Sequence, residues 1–464
     1  MTRAGLASIA LAGSLAAAGC LTGPNYKRPP VDAPTAFRGA PTEPPAAASL
    51  ADEPWWQLFD DETLQQLVRT ALEHNYDVQL AAARILEAQA QLGIVRADQF
   101  PTVTGGVDVL GERPSVALGF PAKNIAAFEV QASAAWELDF WGKYRRATEA
   151  ARAQLLAGEW GRRAVVATLV SQVSSGYFGL RALDLELAIS NRTLASRQES
   201  LKLAQARERG GVTSLLDVRQ AEQLVYSATG EIATLEREIA QQENFLSVLA
   251  GGNPGPIQRG RTLTEAAAPP DVPAGLPSAL IERRPDVQRA EQQLVAANAQ
   301  IGVARAAFFP QISLTGSGGF ESTALAALFT GTNVIWSAAA AATQPIFTAG
   351  RTRSQVAVAQ ARRDEAVIAY QQVVRQAFKE VADALVGYSK LREFREQQAL
   401  LLVAAQDARR LAQVRYEGGA TSYLEVLDAD TRLFDAELGL VQAQLSERTA
   451  LVEIYRALGG GWQA

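Results

Sequence analysis

Two glycine turns of nearly the same sequence lie about 208 residues apart, and they constrain the fold of this chain more than any other feature. The first occupies residues 207–218 around Gly210-Gly211, and the second occupies residues 415–428 around Gly418-Gly419. Each turn separates two long segments of helical pattern, and shorter segments recur at nearly the same spacing. Since a long fixed period indicates repeated structural units, the sequence predicts a tandem repeat whose halves share one fold.

The repeat also sets the predicted domain boundaries. Residues 55–254 form the first predicted repeat and residues 286–464 the second, each with helices and two strands. The segment 255–285, which contains several prolines, connects them. Residues 20–54 are rich in proline and alanine without periodicity, which is typical of an extended tether. Residues 1–19 have the pattern of a signal peptide.

The predicted signal peptide ends in a cysteine. A single positive residue, Arg3, precedes an apolar run that is too short to span a bilayer well. The segment Ala17-Ala18-Gly19-Cys20 resembles a bacterial lipoprotein cleavage box, which implies that Cys20 becomes the lipidated first residue. Leu21, in this resemblance, suits sorting to the outer membrane. The alternative is a plain signal peptide followed by a buried free cysteine.

Composition excludes several classes of function. The net charge is −5 and the pI is near 5.4, with acidic and basic residues mixed, which disfavours nucleic acid as a partner. One cysteine, Cys20, and one histidine, His74, cannot form an internal disulfide or a zinc site of the usual kind. We expect His74 to be an exposed loop residue. No nucleotide-binding loop or catalytic triad is recognisable, so the sequence predicts no enzyme and no cofactor beyond the covalent lipid on Cys20.

A regular alternation predicts a membrane strand. From Phe128 to Phe140, apolar residues alternate with polar and acidic ones over about 13 residues, a period of two. A tilted transmembrane β-strand needs roughly 9–11 residues, with an apolar lipid face and a polar lumen face. Further strands are predicted at residues 102–110, 311–318 and 334–347. A long strand of a soluble sandwich is the alternative.

Four strands in one chain imply an oligomer. Bacterial barrels begin at about eight strands, and an open sheet edge in lipid leaves backbone groups unpaired. The sequence contains no apolar run of the length of a membrane-spanning helix, so the strands are the predicted route through a bilayer. The chain must therefore pool its strands with copies of itself.

Two helical patterns are unusually long. They run without proline from Gly142 to Arg209 and from Gly350 to Tyr416, and roughly 68 residues would reach about 100 Å. We expect these helices to leave the membrane region and cross an aqueous gap. Returning helices are predicted at 214–249 and up to Leu458. Shorter helices are predicted at 62–98, with a break near residue 75 and Asp77 as N-cap, and at 286–307.

The chain resembles a known family, the outer-membrane factors of tripartite efflux pumps, and most closely the lipoprotein branch of these TolC- and OprM-type channels. The resemblance covers nearly all of the mature chain. It implies an α+β membrane protein: a homotrimer in which four strands per chain form a twelve-strand outer-membrane β-barrel, continuous with a long periplasmic α-helical barrel that is closed at its tips at rest. The segments that carry it are the cysteine box, residues 23–29, Pro54-Trp55-Trp56, Phe100-Pro101, Phe309-Pro310 and both glycine turns.

Two acidic residues after the second glycine turn are the predicted aperture. Glu425 and Asp428 are separated by three residues, so both carboxylates lie on one face of the first helical turn. The resemblance implies that acidic side chains from this position form the constriction, and three-fold symmetry would stack them into acidic rings that attract cations. The alternative is helix capping, because acidic residues near a helix N-terminus interact favourably with its dipole.

The resemblance also implies a latch. Asp217 and Tyr416 match positions that form hydrogen bonds between neighbouring helix pairs and hold the entrance shut. Family members often place an arginine just beyond the glycine turn, whereas this chain has Thr421. Thr421 is thus a departure from the family's usual latch pattern.

The predicted function is a passive, gated exit duct in the outer membrane of a Gram-negative bacterium, anchored by its lipid, with its helical part in the periplasm. The resemblance implies a periplasmic membrane-fusion adaptor and an inner-membrane pump as partners, and export of drugs, other toxic small molecules or metals, hence antibiotic resistance. One alternative is an outer-membrane channel for type I protein secretion. A different class is a lipid-anchored periplasmic helical scaffold, and a cell-wall hydrolase is the remote enzymatic alternative.

Overall fold

The computed structural model describes residues 21–40, 49–58, 61–113, 125–265, 272–273, 275 and 277–462. The predicted signal peptide, Cys20 and part of the predicted connector lie outside these residues. The chain divides into two compact units, each with segments from both predicted repeats. The sheet unit comprises Met1–Pro30, Arg84–Glu159 and Arg289–Gln371, and the tip unit comprises Val31–Ala83, Trp160–Gln288 and Gln372–Ala464.

Two helices, two strands and two helices follow one another twice along the described chain. The helices are α1 (Glu62–His74), α2 (Tyr76–Ala97), α3 (Lys143–Arg209), α4 (Leu215–Leu249), α5 (Pro277–Arg283), α6 (Pro285–Ala306), α7 (Arg351–Glu417) and α8 (Tyr423–Ala457). The strands are β1 (Thr102–Glu112), β2 (Ile125–Leu138), β3 (Gln311–Ser322) and β4 (Val334–Thr343). Short helical turns lie at Leu50–Asp52, Trp55–Leu58, Leu325–Ala327 and Gly331–Asn333.

The four strands form one antiparallel sheet in the order β1-β2-β3-β4. All four predicted strands are present, but two end earlier than predicted. The amide of Phe140 donates to the carbonyl of Leu138 in a turn, which ends β2. β4 ends at Thr343, shortly before Pro345, whose nitrogen cannot donate to a ladder. β1 and β4 are the two edges of the sheet within this chain.

The sheet has an apolar face and a polar face, as the alternation in β2 predicts. Val107, Val130 and Phe320 are neighbours in one row across three strands. In the next row, Asp108, Glu129 and Glu321 are neighbours and point to the opposite side, because successive side chains alternate across a strand. The polar face also carries a row of four hydroxyl residues across all four strands: Thr104, Ser133, Ser317 and Ser337.

Both predicted long helices are confirmed to within one residue. α3 and α7 have 67 residues each. Each follows a glycine in the left-handed region, Gly142 with φ of 77° and Gly350 with φ of 84°, a conformation that residues with a Cβ rarely adopt. These glycines allow the chain to turn from the sheet into the helix.

The break between α1 and α2 corrects one prediction. Asn75, and not Asp77, caps α2: its Oδ1 accepts hydrogen bonds from the amides of Asp77 at 2.9 Å and Val78 at 3.3 Å. Its Nδ2 donates to the carbonyl of Leu249 at 3.0 Å. Asp77 therefore lies inside the first turn of α2, where its charge still favours the helix N-terminus. His74 is exposed, as predicted, but it is the last residue of α1.

Small side chains allow close helix packing in the sheet unit. Ala150 and Ala153 of α3 pack against Ala296 and Ala299 of α6, and all four are nearly fully buried. Because the alanine side chain is small, the two helix backbones can lie close together, and alanine also has the highest helix propensity. Among the described helices, none combines the length and the apolar character that crossing a membrane would need.

Candidate functional site at the helical tips

The two glycine turns lie in the tip unit and have the same backbone geometry. Gly211 and Gly419 both have φ of 72°. The amides of Val212 and Ala420 donate to the carbonyls of the last turns of α3 and α7, at 2.9 Å and 2.8 Å. A Cβ on either glycine would meet no atom within 4 Å, so the positive φ, and not crowding, requires glycine there.

A threonine hydroxyl engages the first acidic residue after each turn. Thr213 donates to the carboxylate of Asp217 in the first tip, and Thr421 donates to the carboxylate of Glu425 in the second. The carboxylate of Asp217 also accepts from the amide of Ser214, which completes a capping box at the start of α4. Helix capping is therefore one role of Asp217, whereas the hydroxyl of Thr421 holds Glu425 in the first turn of α8, where a carboxylate favours the helix N-terminus.

Both predicted aperture residues have cationic partners; Asp428 is exposed and Glu425 is half-buried. Arg415 NH1 lies 3.4 Å from Glu425 Oε1, and Arg432 Nε lies 2.9 Å from Asp428 Oδ2. The side chains of Glu425 and Asp428 are 41% and 59% exposed, so water screens these pairs. The carboxylates lie on α8 as the spacing predicts, and the local charge is smaller than two free carboxylates would give.

The predicted latch residues have separate partners within one chain. The ring of Tyr416 packs against the ring of Tyr423, with centroids 5.2 Å apart, and the guanidinium of Arg207 lies 4.7 Å from the centroid of Tyr416. Asp217 interacts with its own turn. Burial raises the pKa of Tyr423, and the charges of neighbouring carboxylates, among them Asp217, act in the same direction. Asp217 and Tyr416 thus border the same cluster around Tyr423.

That cluster packs the two hairpins, α3–α4 and α7–α8, against each other. Its members are buried and mostly small or aliphatic, with Tyr416 and two leucines packed at its margin. The buried members are Ala204, Val218, Ala221, Ala412, Tyr423, Val426, Leu427 and Ala429.

A partly buried ion cluster near the tips was not predicted from the sequence. Arg197 of α3, only 5% exposed, donates from Nε to Asp430 Oδ2 of α8 at 3.2 Å, and from NH1 to the carbonyl of Leu224 at 3.2 Å. Arg409 Nε of α7 lies 3.9 Å from Asp430 Oδ1. One carboxylate thus connects three helices. A signal was present in the sequence: Asp430 lies two residues beyond Asp428 and therefore on another face of α8.

Comparison with known proteins agrees with this architecture. The family model of the outer membrane efflux protein matches twice, at residues 67–252 and 276–460. The toluene efflux pump outer membrane protein TtgC of Pseudomonas putida is 37% identical over 453 residues, covering 96% of this chain and 93% of that protein. The cation efflux system protein CusC of Escherichia coli is 35% identical, covering 97% of each.

Solved structures agree as well. The outer-membrane channel OprN has a TM-score of 0.89 at 30% identity, covering 96% of this chain and 100% of that one. The open state of the Neisseria gonorrhoeae MtrE outer membrane channel has a TM-score of 0.86 at 31% identity, covering 96% and 99%. The fold is therefore that of outer-membrane channels. The chain belongs to the outer membrane efflux protein family.

Proposed function

We propose that this chain is the passive, gated exit channel of a tripartite efflux system, and that three copies assemble to form it. The observation that carries the proposal is the four-stranded sheet with one apolar face, one polar face and two edges at β1 and β4. Pairing β4 of one chain with β1 of the next would close twelve strands. Closure satisfies the edge backbone groups, which lipid cannot do.

The two faces support a defined orientation of the sheet in the assembly. Exposed valines of β1, among them Val103 and Val107, and Trp336 of β4 belong to the apolar face and would meet lipid. The polar face, with Asp108, Glu129 and Glu321 in one row, would line an aqueous lumen. Three adjacent carboxylates are unfavourable unless water solvates them, which suits a lumen.

The helical tips support the periplasmic entrance of this channel. Three copies of Glu425 and of Asp428 would form acidic rings, attenuated by Arg415 and Arg432. Asp217 and Tyr416, which border the Tyr423 cluster, would form the contacts to a neighbouring chain. Cys20, directly before the described residues, would carry the lipid anchor in the outer membrane. A membrane-fusion adaptor and an inner-membrane pump complete the proposed system.

The substrates are proposed from the relatives. They include an antibiotic efflux pump protein and a toluene efflux pump protein of Pseudomonas putida, besides the cation efflux protein of Escherichia coli. Because relatives of similar identity carry such different substrates, the channel itself contributes little to substrate choice. The pump would supply selectivity and energy.

Single-channel conductance in a planar bilayer tests the proposal. The purified full-length protein is compared with the double variant Glu425→Gln/Asp428→Asn. A matched control, Glu199→Gln/Asp407→Asn, removes two exposed carboxylates outside α8. Glu199 pairs with Lys202 within α3, and Asp407 pairs with Arg410 within α7. We expect small, cation-selective steps from the unchanged protein and the control, and reduced cation selectivity in the aperture variant.

The outcomes separate the alternatives. Equal selectivity in all three proteins would keep the channel and remove Glu425 and Asp428 from its aperture. If well-folded protein never conducts, even after the latch substitutions Asp217→Ala/Tyr416→Phe, the lipid-anchored scaffold becomes the better interpretation.

A further inference from the structure

An open groove of about 690 Å³ lies beside the N-terminal strap, residues 21–30, in the sheet unit. Three cationic side chains line it: Lys27 of the strap, Arg305 of α6 and Arg363 of α7. Among the described lining residues, Asp364 is the carboxylate, and three amide side chains contribute further polar groups. The groove therefore has a positive charge excess of two, in a chain whose net charge is −5.

The strap is fixed in place by partly buried polar contacts. Arg28 donates from Nε and NH2 to the two carboxylate oxygens of Glu291 at 2.7 Å each, and Tyr26 donates its hydroxyl to the same carboxylate at 3.0 Å. Glu291 is only 5% exposed. Asn298 Nδ2 donates to the carbonyl of Pro24 at 2.9 Å. Because these contacts involve the residues on both sides of Lys27, they hold the backbone at Lys27, and with it this wall of the groove, in place.

The cations of the groove are only partly compensated. Arg363 NH1 lies 2.9 Å from Asp364 Oδ1. Lys27 and Arg305 form no ion pair with a carboxylate of the described residues. Helical side chains lean towards the N-terminus of their own helix, and α6 runs towards the sheet whereas α7 runs away from it. Arg305 and Arg363 thus line the groove from two helices that run in opposite directions relative to the sheet.

The groove lies close to the sheet. α6 ends at Ala306, one residue after Arg305, and β3 begins at Gln311. Between them, the ring of Phe309 stacks on Trp141 with centroids 4.7 Å apart, and Trp141 Nε1 donates to the carbonyl of Pro310 at 2.8 Å. Aromatic residues at the ends of membrane strands mark the headgroup level. If the sheet lies in the outer membrane, as proposed above, Arg305 lies within one helical turn of the lipid headgroups.

We propose that this groove binds the phosphate group of an anionic phospholipid from the leaflet next to the helices. Arginine and lysine provide charge-assisted donors for phosphate oxygens, the exposed amide of Gln360 suits a glycerol hydroxyl of the headgroup, and the exposed ring of Pro24 offers an apolar contact to the glycerol backbone. Basic grooves beside membrane segments bind anionic headgroups by the same forces. The bound lipid would join the strap to α6 and α7.

Native mass spectrometry of the delipidated full-length oligomer tests the site. The protein, in neutral detergent, is titrated in parallel with dihexanoyl phosphatidylglycerol, with dihexanoyl phosphatidylcholine and with inorganic phosphate. The test variant is Arg305→Gln/Arg363→Gln. The matched control, Lys379→Gln/Lys390→Gln, removes two exposed cations of the tip unit. Phosphatidylglycerol should bind the test variant about 30-fold more weakly than the control and the unchanged protein.

Each other outcome overturns the proposal. Equal phosphatidylglycerol binding by the test variant and the control removes the groove as the site. Equal binding of phosphatidylcholine removes the preference for an anionic lipid, and equal binding of inorganic phosphate shows a free-anion site. If the test variant does not fold, Arg305→Lys/Arg363→Lys replaces it. This variant keeps both positive charges and should therefore keep the preference for phosphatidylglycerol over phosphate. Loss of that preference counts against lipid binding through charge.

Conductance measured on the same preparations distinguishes failure of the lipid-groove proposal from failure of the channel proposal. A protein that conducts but does not distinguish the lipids refutes the groove alone. A protein that prefers phosphatidylglycerol but never conducts retains the lipid site and loses the proposed channel.

Discussion

Gly93 and Gly302 occupy equivalent positions in the two repeats, yet the structure predicts opposite effects of alanine at them. Gly302, in α6, lies directly under the N-terminal strap. A Cβ there would lie 2.6 Å from the carbonyl oxygen of Thr22 and 2.7 Å from Cγ of Arg146, against about 3.4–4 Å for ordinary contacts. Gly93, in α2, has no atom within 4 Å of such a Cβ. The sequence alone treats the two glycines alike.

The magnitude follows from two terms. Alanine in place of glycine inside a helix stabilises by about 1 kcal/mol, and this term is common to both sites. Forcing a methyl group into a packed site costs about 1–3 kcal/mol, and this term applies only at Gly302. The difference between Gly302→Ala and Gly93→Ala is therefore about 1–3 kcal/mol, and helix propensity cancels from it. Gly93→Ala alone should be neutral or stabilising.

The assay is thermal unfolding of the purified protein in detergent, followed by helical circular dichroism. We expect the midpoint of Gly302→Ala to lie about 1–3 °C below that of Gly93→Ala. Hydrogen exchange supplies a local readout, because the strap amides around Thr22 should exchange faster in Gly302→Ala only. Equal midpoints with equal strap protection would refute the packing argument, and a lower midpoint for Gly93→Ala would show that an unrecognised neighbour covers α2.

Three further predictions follow from buried charges and from the tips. Glu186 is 6% exposed and burial raises its pKa, so its contribution to stability is present below the unfolded value of 4.5 and is lost as pH rises through the folded pKa. The free energy of unfolding of Glu186→Gln, relative to that of the unchanged protein, should therefore rise by about 1 kcal/mol between pH 4.5 and pH 8. A difference that stays constant over this pH range contradicts the prediction. Arg284→Met leaves Asp286 and Glu380 without the guanidinium that contacts them at 2.6 Å and 2.7 Å. Since both carboxylates are partly exposed, we expect the free energy of unfolding of Arg284→Met to fall by about 2–4 kcal/mol, measured by thermal unfolding. The control Arg410→Met breaks an exposed pair and should cost less than about 0.5 kcal/mol. Asp217→Ala/Tyr416→Phe should raise conductance and antibiotic leakage, and unchanged leakage at equal protein level would remove the latch.

Local periodicity accounts for the parts of the fold that could be predicted. The strand pattern ending at Phe140 and the uninterrupted helices after Gly142 and Gly350 are signals that neighbouring residues carry themselves. Errors occur where several local signals compete within a few residues. Asn75 and Asp77 are both good N-cap residues, and the choice between them depends on the carbonyl of Leu249, which lies far away in the sequence.

Contacts between distant segments could not be predicted. Arg197 and Asp430 are 233 residues apart, and no periodicity indicates that the two side chains meet in a buried position. The same holds for Glu291, whose partners Tyr26 and Arg28 lie in a segment that the composition describes only as an extended tether. Pairing of such charges depends on how the repeats pack, and a single sequence contains no record of that packing.

The equivalent positions of the two repeats distinguish a carboxylate that supports the helix start from one that serves conduction. Asp217 and Glu425 are equivalent, and each accepts a hydrogen bond from a threonine four residues earlier, so the fold of the tip explains both carboxylates. Asp428 has Gln220 as its counterpart, and its contact is an exposed pair with Arg432 that contributes little to stability. The carboxylate of Asp428 is thus the one that the local structure does not require. A change in ion selectivity on neutralising Asp428 therefore reports on the ion pathway itself, whereas the same change at Glu425 would also include the effect of a weakened helix start.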